Sequence, residues 1–576
     1  MSAIDNVVHV TISILNVGVT RAGFGTAMGL GVQMATPLDR VAYYDQSAGP
    51  GDVGDGGNPM QDAYEAYFAP SPKPTTFALG RIKINLFSFL LGGALNAGEY
   101  GFTLNWKFDE GTEQSVDILY DAAYEDEDEI LDGLALAVNA ADCPFAAGAV
   151  GDKRYLGFSV TPEDGEYPLV GASTFLVPGT EEWFALPYNS MITVTGGDAA
   201  VKVDHEYVVE INDTEYSFTT TAAPTQDELI EGWEGVVEAD APDDFFVIAI
   251  GGESPALIVC NLPSCCRLDI DFTNEESELA YSNNFAETIA EAFDACRLAS
   301  ADWYALGLVD RTKVNQASAA DKAELETTIF GYASANKAQI NTDGGGISIG
   351  AYCFGQAFTR TFGGYHPQAT GYVNEDDSTD ALNENWTEFR WLGARLTVNL
   401  DTSTATWKFA TFTGNTVALT ATQKNRLFGN PIANNGVIGG LKMNLFDNIG
   451  GRGIMREGCV HSGEWIDTII GVDWLTARMQ EDVFVALAAS LKVPYTDDGI
   501  AVIVNQIIAR LQIAQGTGFL AFDEDLGKQL GFLITYPSRS DVSASMRAAR
   551  ILQNIKWSAG LAGAIHLVKI EGTVSA

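Results

Sequence analysis

Positive charge is scarce in this chain. Its 576 residues hold 33 Lys and Arg against 76 Asp and Glu, a formal charge of −43. A nucleic-acid binder needs a basic footprint, and docking on an anionic bilayer needs a basic face, so neither partner is expected. Long apolar runs are missing as well: none reaches the ~18 residues of a membrane span. The N-terminus shows no basic stretch followed by a cleavable apolar core, so synthesis in the cytoplasm is the expectation. Histidine is limited to His9, His205, His366, His461 and His566, with no HExxH and no pair at ligand spacing on a helix. There is no GxSxG elbow and no Walker A loop; Asp343-Gly344-Gly345-Gly346 lacks a following Lys-Ser/Thr and reads as a turn. Carboxylates are so abundant that no pair of them marks a glycosidase. No enzyme, no metal and no cofactor is expected.

Cysteine is sparse and unpatterned. Cys143, Cys260, Cys265, Cys266, Cys296, Cys353 and Cys459 form no CxxC and no Cys/His zinc spacing. In a cytosolic product they read as free thiols, many of them buried. Their odd number singles out Cys260, Cys265 and Cys266, close together in sequence, as candidates for disulfides between subunits.

What is present is ordinary globular material: 46% hydrophobic and 19% charged residues. At about 100–200 residues per domain the length predicts three to five domains. The acidity is local. Residues 99–280 hold 39 acids and 5 bases, a net of −34, which leaves −9 for the other 394 positions. Within this stretch Glu125-Asp126-Glu127-Asp128-Glu129 reads as a solvated loop. The glycine and spacing of a calcium loop are absent.

Two segments resemble copies of one unit. Glu99-Tyr100 leads through strands to Glu129-Ile130-Leu131-Asp132-Gly133-Leu134 and Val138; Glu206-Tyr207 leads through strands to Glu228-Leu229-Ile230-Glu231-Gly232-Trp233 and Val237. Each reads as a hairpin, a helix and closing strands such as Phe245–Ile250 and Ala256–Val259, with more strand-like sequence, Tyr155–Val160 and Met191–Val194, between the copies. A tandem duplication of this kind fits a decorating or spacing module over residues 99–272.

Elsewhere the pattern alternates strand and helix, an α/β arrangement. A helix is predicted over Met60–Phe68, then an extended path through Pro70, Pro72 and Pro74 and a strand from Phe77. Helices follow over Phe285–Ala299 and Ala319–Tyr332, with strands at Trp303–Leu308 and Ala338–Ile340. Further helices are predicted over Trp474–Leu491, over Asp498–Gln515 with Thr496 or Asp497 as cap, and over Asp541–Trp557. On this last helix Arg547, Arg550 and Asn554 share a face, with Arg539 and Lys556 near it. Two readings fit such a basic face: pairing with the protein's own acids, or contact with an acidic partner.

Both ends of the chain read as strands. Val8, Val10, Ile12 and Ile14 alternate with His9, Thr11 and Ser13. At the other end Ile565 and Leu567 lie on one side, Val568 and Ile570 on the other, as in a strand covered on both faces. A terminal strand needs a sheet edge to pair with.

In order along the chain, several segments resemble the tail sheath proteins of contractile-tailed bacteriophages. They are the Val7–Thr11 strand with Ala22-Gly23-Phe24-Gly25-Thr26; Tyr67-Phe68-Ala69-Pro70-Ser71-Pro72-Lys73-Pro74 with Leu79-Gly80-Arg81; Trp303-Tyr304-Ala305-Leu306; Gly463-Glu464-Trp465-Ile466-Asp467; Asp473-Trp474-Leu475; and Pro494-Tyr495-Thr496-Asp497-Asp498-Gly499. Pro70 departs from the family's pattern, and the acidic insert is the least family-like part.

The resemblance implies an α/β (α+β) multidomain protein: a mixed-sheet sheath core with a duplicated β-rich insert and strand-forming terminal arms. The expected division is an arm over 1–20, a middle domain over 21–98 and 273–380, the insert over 99–272 on the outer surface, a tube-facing core domain over 381–560, and an arm over 561–576. The implied function is a virion tail subunit that polymerises with six-fold helical symmetry around the inner tube and contracts to drive that tube through the host envelope. Its implied partners are itself, the tube protein, and baseplate and terminator proteins. The implied arm residues are Val8, Val10, Ile12, Ile14, Ile565, Leu567, Val568 and Ile570, and the implied tube contacts are Arg539, Arg547, Arg550 and Lys556. The sheath of a tailocin or other contractile injection system is the nearest alternative, and a virion-surface binding protein a more distant one.

Overall fold

A computed structural model of the chain describes residues 24–47, 59–309, 325–334, 358–365 and 386–568, apart from short breaks at 110, 125, 151–153, 164, 180–181, 187–188, 195, 212–213, 241–244, 251–255, 262–269, 273–278, 284–285, 301, 415, 431–432 and 434–435. The strands are β1 (Ala27–Gly31), β2 (Val41–Tyr44), β3 (Phe77–Arg81), β4 (Leu86–Gly92), β5 (Gly98–Lys107), β6 (Gln114–Ala122), β7 (Phe145–Val150), β8 (Tyr155–Val160) and β9 (Leu169–Leu176). They continue with β10 (Glu182–Leu186), β11 (Asn189–Val194), β12 (Glu206–Ile211), β13 (Thr214–Thr219), β14 (Phe245–Ile250), β15 (Ala256–Asn261), β16 (Ile270–Phe272) and β17 (Leu279–Asn283). The last are β18 (Ala305–Leu308), β19 (Ile329–Ser334), β20 (Thr361–Tyr365), β21 (Asn444–Ile449), β22 (Arg452–Arg456), β23 (Phe532–Thr535) and β24 (Lys556–Ala559). The helices are α1 (Pro59–Phe68), α2 (Glu127–Ala140), α3 (Gln226–Asp240), α4 (Ile289–Ala299), α5 (Thr387–Leu396), α6 (Ala421–Phe428), α7 (Ile466–Ala488), α8 (Asp497–Gly516) and α9 (Ala544–Ala548).

One mixed sheet organises the body, in the order β2-β3-β1-β18-β19-β20-β21-β22. Its inner strands are parallel, with β1, β3, β18 and β20 buried along their length, and antiparallel strands close both edges. Alternate residues of β1 serve different cores. Ala27 belongs to a cluster with Met60 and Tyr67 of α1 and Phe389 and Trp391 of α5. Met28 and Leu30 belong to a second cluster with Phe293 and Cys296 of α4. This is the period-two alternation of a strand covered on both faces. Arg81, within the Leu79-Gly80-Arg81 landmark, is buried and donates to the carbonyls of Gln33, Ala35 and Pro37, so it fixes the loop after β1.

The duplication is visible strand by strand. One copy has sheets β6-β5-β9 and β10-β4-β8-β7; the other has β13-β12-β16 and β17-β11-β15-β14 in the same relation. Tyr100 pairs with Tyr120 across β5–β6, and Tyr207 with Phe218 across β12–β13. The helices bury Ile130, Leu131, Leu134 and Val138 in one copy and Leu229, Ile230, Trp233 and Val237 in the other. Gly133 and Gly232 are equivalent for a steric reason. A Cβ on Gly133 would lie 2.3 Å from the Tyr120 ring, and one on Gly232 would lie 2.4 Å from the Phe218 ring. The hydrogen-bonded strands of the insert extend from Leu86 to Asn283, wider than 99–272, and the body sheet takes in 444–456 from beyond position 381.

The copies are attached in series. The first shares its apolar core with one face of the body sheet. Lys83 adds ion pairs to Asp109 (2.9 Å) and Glu166 (3.0 Å) at its base. The second has its own core around Trp233. It meets the first through a small cluster of Tyr155, Ile248, Ala256 and Ile258, flanked by Leu86, Leu90, Val150 and Met191.

Three local expectations are corrected. The block at 125–129 is not simply a loop: Asp126 caps α2 by accepting from the Glu129 amide (3.0 Å), and Glu129 accepts from the amides of Ala123 and Tyr124. Carboxylates are favoured there by the unpaired N–H groups of the helix start. The helix predicted over 319–332 gives way by Ile329 to β19, which runs parallel to β18. The helix predicted over Asp541–Trp557 is a single short one, α9, capped by Ser543. It ends in a left-handed residue, Arg550 (φ 60°), with the Ile551 amide reaching back to the Met546 carbonyl. That is a Schellman close made without the usual glycine. Asn554 is left-handed too (φ 66°), and β24 follows. Arg547, Arg550 and Asn554 therefore share no helix face. The strand expected at Ala338–Ile340 and the glycine turn at 343–346 lie outside the described residues.

Candidate assembly interface

Several landmark residues, far apart in sequence, meet beneath α7. The Tyr67 hydroxyl donates to the Gly25 carbonyl (3.0 Å) and accepts from the Ala27 amide (3.3 Å). Phe24 packs on Tyr304 with ring centroids 4.7 Å apart. The Tyr304 hydroxyl donates to Asp473 Oδ2 (2.7 Å), and Arg360 grips the same carboxylate through both terminal nitrogens, one at 3.2 Å. Asp473 and Arg360 are both buried. Burial, and then the Asp473 charge, push the Tyr304 phenol well above the ordinary tyrosine range. Burial opposes the Arg360 charge, but Asp473 outweighs it and holds the guanidinium fully protonated. This cluster is the polar bolt between the body sheet and the helices that follow it.

Those helices pack antiparallel over a second polar centre. Arg510 of α8 makes two bonds to Asp482 of α7 (2.7 and 2.9 Å). Asp401 accepts from the Trp474 indole (3.0 Å) and from Arg478 (3.2 Å). Helix α7 begins eight residues before the predicted Trp474, with Asp467 in its first turn. Helix α8 is capped by Thr496, which accepts from the Gly499 amide (3.2 Å), as the spacing predicts.

Beyond α8 the described residues cover little. The β23–β24 hairpin is joined by the Leu520–Leu561 bridge, and Leu533, Tyr536, Ile551 and Leu561 stand exposed. Arg539 and Arg550 are exposed, Lys556 is exposed on β24, and Arg547 is half-buried. Arg547 donates to the carbonyls of Arg539 and Val542, and Arg539 to that of Tyr495. Among the described residues no ion pair with Asp or Glu holds any of these four cations. Residues 466–574 carry 11 acids and 9 bases, so this surface is close to neutral in a chain of −43.

Residues 466–574 match the family described as E217 tail sheath protein gp31-like, C-terminal domain. Over these residues the chain is similar to a phage tail sheath domain. That match supports a phage tail sheath protein: a structural virion-tail role and self-assembly into a sheath follow from the family, which is a structural one. No curated protein matches the chain. The overall class is a mixed α/β one with several small sheets beside the body sheet, consistent with α+β.

The expected arm residues divide between described and undescribed positions. Val8, Val10, Ile12, Ile14 and Ile570 lie outside the described residues. Ile565 and Val568 are 81% and 67% exposed, Leu567 is exposed, and no strand forms over 564–568 within the chain itself. Cys260 sits on β15, opposite Asn189, while Cys265, Cys266 and Cys353 lie outside the described residues. Cys143, Cys296 and Cys459 are free thiols; burial pushes the last two up to about 12. Among the described residues no cluster of His, Cys, Asp or Glu is arranged to hold a metal ion, and no helix is long and apolar enough to cross a membrane. Sequence reasoning missed the Tyr304–Asp473–Arg360 cluster. Tyr304 and Asp473 stood in its landmarks, but Arg360, 113 residues before Asp473, carried no signal.

Proposed function

We propose that the chain is the sheath subunit of a contractile phage tail, stacked with six-fold helical symmetry around an inner tube and contracting to drive that tube through the host envelope. The observation that carries this reading is the surface of the sheath domain: four cations without acidic partners among the described residues, beside an exposed apolar chain end. Arg539, Arg547, Arg550 and Lys556 face carboxylates on the tube in this reading. Exposed pairs worth ~0.2–1 kcal/mol each hold the tube yet give way when the sheath moves. The arms over 1–20 and 561–576 add strands to sheet edges of neighbouring subunits, which repeats head to tail into an open filament. The acidic insert projects outward, where its repulsion is relieved by solvent.

The test is negative-stain microscopy of the purified protein, with and without tubes of the tail tube protein. The native chain is expected to form tubes. Truncations removing 1–16 or 564–576 are expected to stay folded and form none. Arg547→Glu with Arg550→Glu is expected to abolish co-assembly on the tube. Long sheaths from either truncation refute the arm mechanism, and unchanged co-assembly of the double variant refutes the basic contact.

A further inference from the structure

The sheets on either side of the copy junction can be matched row by row. In the first copy Tyr155 pairs with Val150 on one side and Leu90 on the other; in the second Ala256 pairs with Ile250 and Thr193. Tyr155 and Ala256, each the first residue of its strand, are thus equivalent. Gly157 and Ile258 are equivalent in the same way, and so are Gly148 and Ile248. Alternation assigns the faces. Leu156 and Phe158 belong to the first copy's core, and Leu257 and Val259 to the second's. Tyr155, Ile248, Ala256 and Ile258 lie on the opposite faces and form the junction cluster. The two copies therefore meet through the same face of the same sheet.

Side-chain size is inverted between the two faces. One row holds Ser88, Gly157 and Gly148 in the first copy and Met191, Ile258 and Ile248 in the second, small against large. In the next row the order reverses at the centre, with Tyr155 large and Ala256 small. The Tyr155 ring lies across Gly157: a Cβ added there would come within 2.7 Å of it, so the ring uses the space that the glycine leaves. A Cβ on Gly148 would meet nothing within 4 Å, whereas the equivalent Ile248 is fully buried. The junction is filled by a ring from one side and by two isoleucines from the other, the interdigitation of packed sheets.

We propose that the two copies are docked as an isologous pair, each the binding partner of the other, with Tyr155 as the anchor. The outer sheet face of one module is a recognition surface for the same face of another. An isologous contact uses one patch on both partners, so a residue and its equivalent have exchangeable parts. Here both partners belong to one chain. The tether keeps their effective concentration high, which lets a small apolar patch hold two acidic modules together. The duplication also gains a physical use: either copy alone would present this apolar face to water, and two copies cover it. The pairing stands on contacts within the chain and is independent of the sheath reading.

The test is thiol labelling of the dispersed full chain, read peptide by peptide, with a reporter introduced as Ile248→Cys or Gly148→Cys. With no other change, the reporter at 248 is expected to label about ten-fold or more slowly than the one at 148. Adding Tyr155→Ala is expected to remove the difference by freeing 248. The large–small pattern is then exchanged between the copies: Tyr155→Ala and Gly157→Ile together with Ala256→Tyr and Ile258→Gly. An isologous pair inverts the result, slow at 148 and fast at 248, because the ring now comes from the second copy. Hydrogen exchange in α2 and α3, which pack in the two separate cores, is expected to stay unchanged throughout. A reporter at 248 that stays protected in Tyr155→Ala removes Tyr155 as the anchor. A fast reporter at 148 in the exchanged chain, or lost protection of α2 or α3 in either variant, overturns the isologous pairing. Because no tubes are needed, these results are separate from any failure to assemble.

Discussion

The Tyr304–Asp473–Arg360 cluster ties the sheath domain to the body sheet, and its energetics can be worked through. Asp473→Asn keeps the side-chain shape and removes the charge. The Arg360 guanidinium, with only 5% of its side chain exposed, then loses its carboxylate. Breaking a buried pair from one side costs about 3–5 kcal/mol, because the remaining charge stays desolvated. Tyr304→Phe removes one hydrogen bond to a charged acceptor, at about 1.5–3 kcal/mol. Arg360→Met combined with Asp473→Asn removes both charges, so the pair of changes is expected to cost less than the sum of the single ones by about 2 kcal/mol or more. For a cooperative unit of 150–250 residues, ~2–4 °C per kcal/mol places the Asp473→Asn fall in Tm at about 6–20 °C. Differential scanning calorimetry of the native chain, Asp473→Asn, Arg360→Met and the double variant gives the cycle. A shift under 1 °C for Asp473→Asn, or strictly additive single changes, would show that the cluster is not the connection argued here.

His461 is buried beside Lys442, and burial lowers its pKa to about 4. A base with a depressed folded pKa contributes stability that is present above ~6.5 and lost as pH falls towards 4. The shift corresponds to about 3 kcal/mol, and His461→Gln is expected to flatten the pH dependence of Tm over that range. In the insert, Gly133→Ala and Gly232→Ala are expected to destabilise their own copies by about 1–3 kcal/mol despite better helix propensity, because each methyl meets an aromatic ring. Gly235→Ala, on the same helix as Gly232 and with open space around its Cβ, is expected to stabilise by about 0.5–1 kcal/mol. Hydrogen exchange in α2 and α3 separates the three.

The parts legible in the sequence are those that local chemistry decides. Phe245–Ile250 forms a strand over the predicted range, and Thr496 caps α8, because alternation and a hydroxyl three residues before an amide act over a few positions. The repeat was legible because two copies constrain each other: Gly133 and Gly232 stand at matched places against matched rings. The misread segments are those where a distant partner or an unmarked backbone state decides. Ile329–Ser334 becomes a strand because β18 and β20 flank it. The helix at Arg547 stops because Arg550 adopts a conformation that glycine usually marks. The candidate surface was legible as a set of cations but not as geometry. No spacing rule connects His566 to Trp465, a hundred positions earlier.

Charge and attachment argue the same way about what this molecule can pack against. Residues 86–283 carry 39 acids and 5 bases, while 386–576 carry 16 acids and 17 bases. Of the chain's −43, −34 therefore sits in the insert, while the sheath-bearing end is at +1. At physiological salt, charges interact over about 8 Å. Copies that touch through 386–576 meet almost no net repulsion, whereas inserts brought within that distance would repel strongly. The serial attachment sharpens the contrast. The second copy, with 20 acids and 2 bases over 189–283, meets the first, among the described residues, through the small cluster of Tyr155, Ile248, Ala256 and Ile258 with its flanking Leu86, Leu90, Val150 and Met191. The buried Arg360–Asp473 pair and the Arg510–Asp482 bonds lie on the other route, from the body sheet into α7 and α8. The buried ion pairs thus join the body sheet to α7 and α8 and lie outside the charged insert, so changes of charge in the second copy are expected to leave the Tm of the 386–568 unit unshifted in calorimetry.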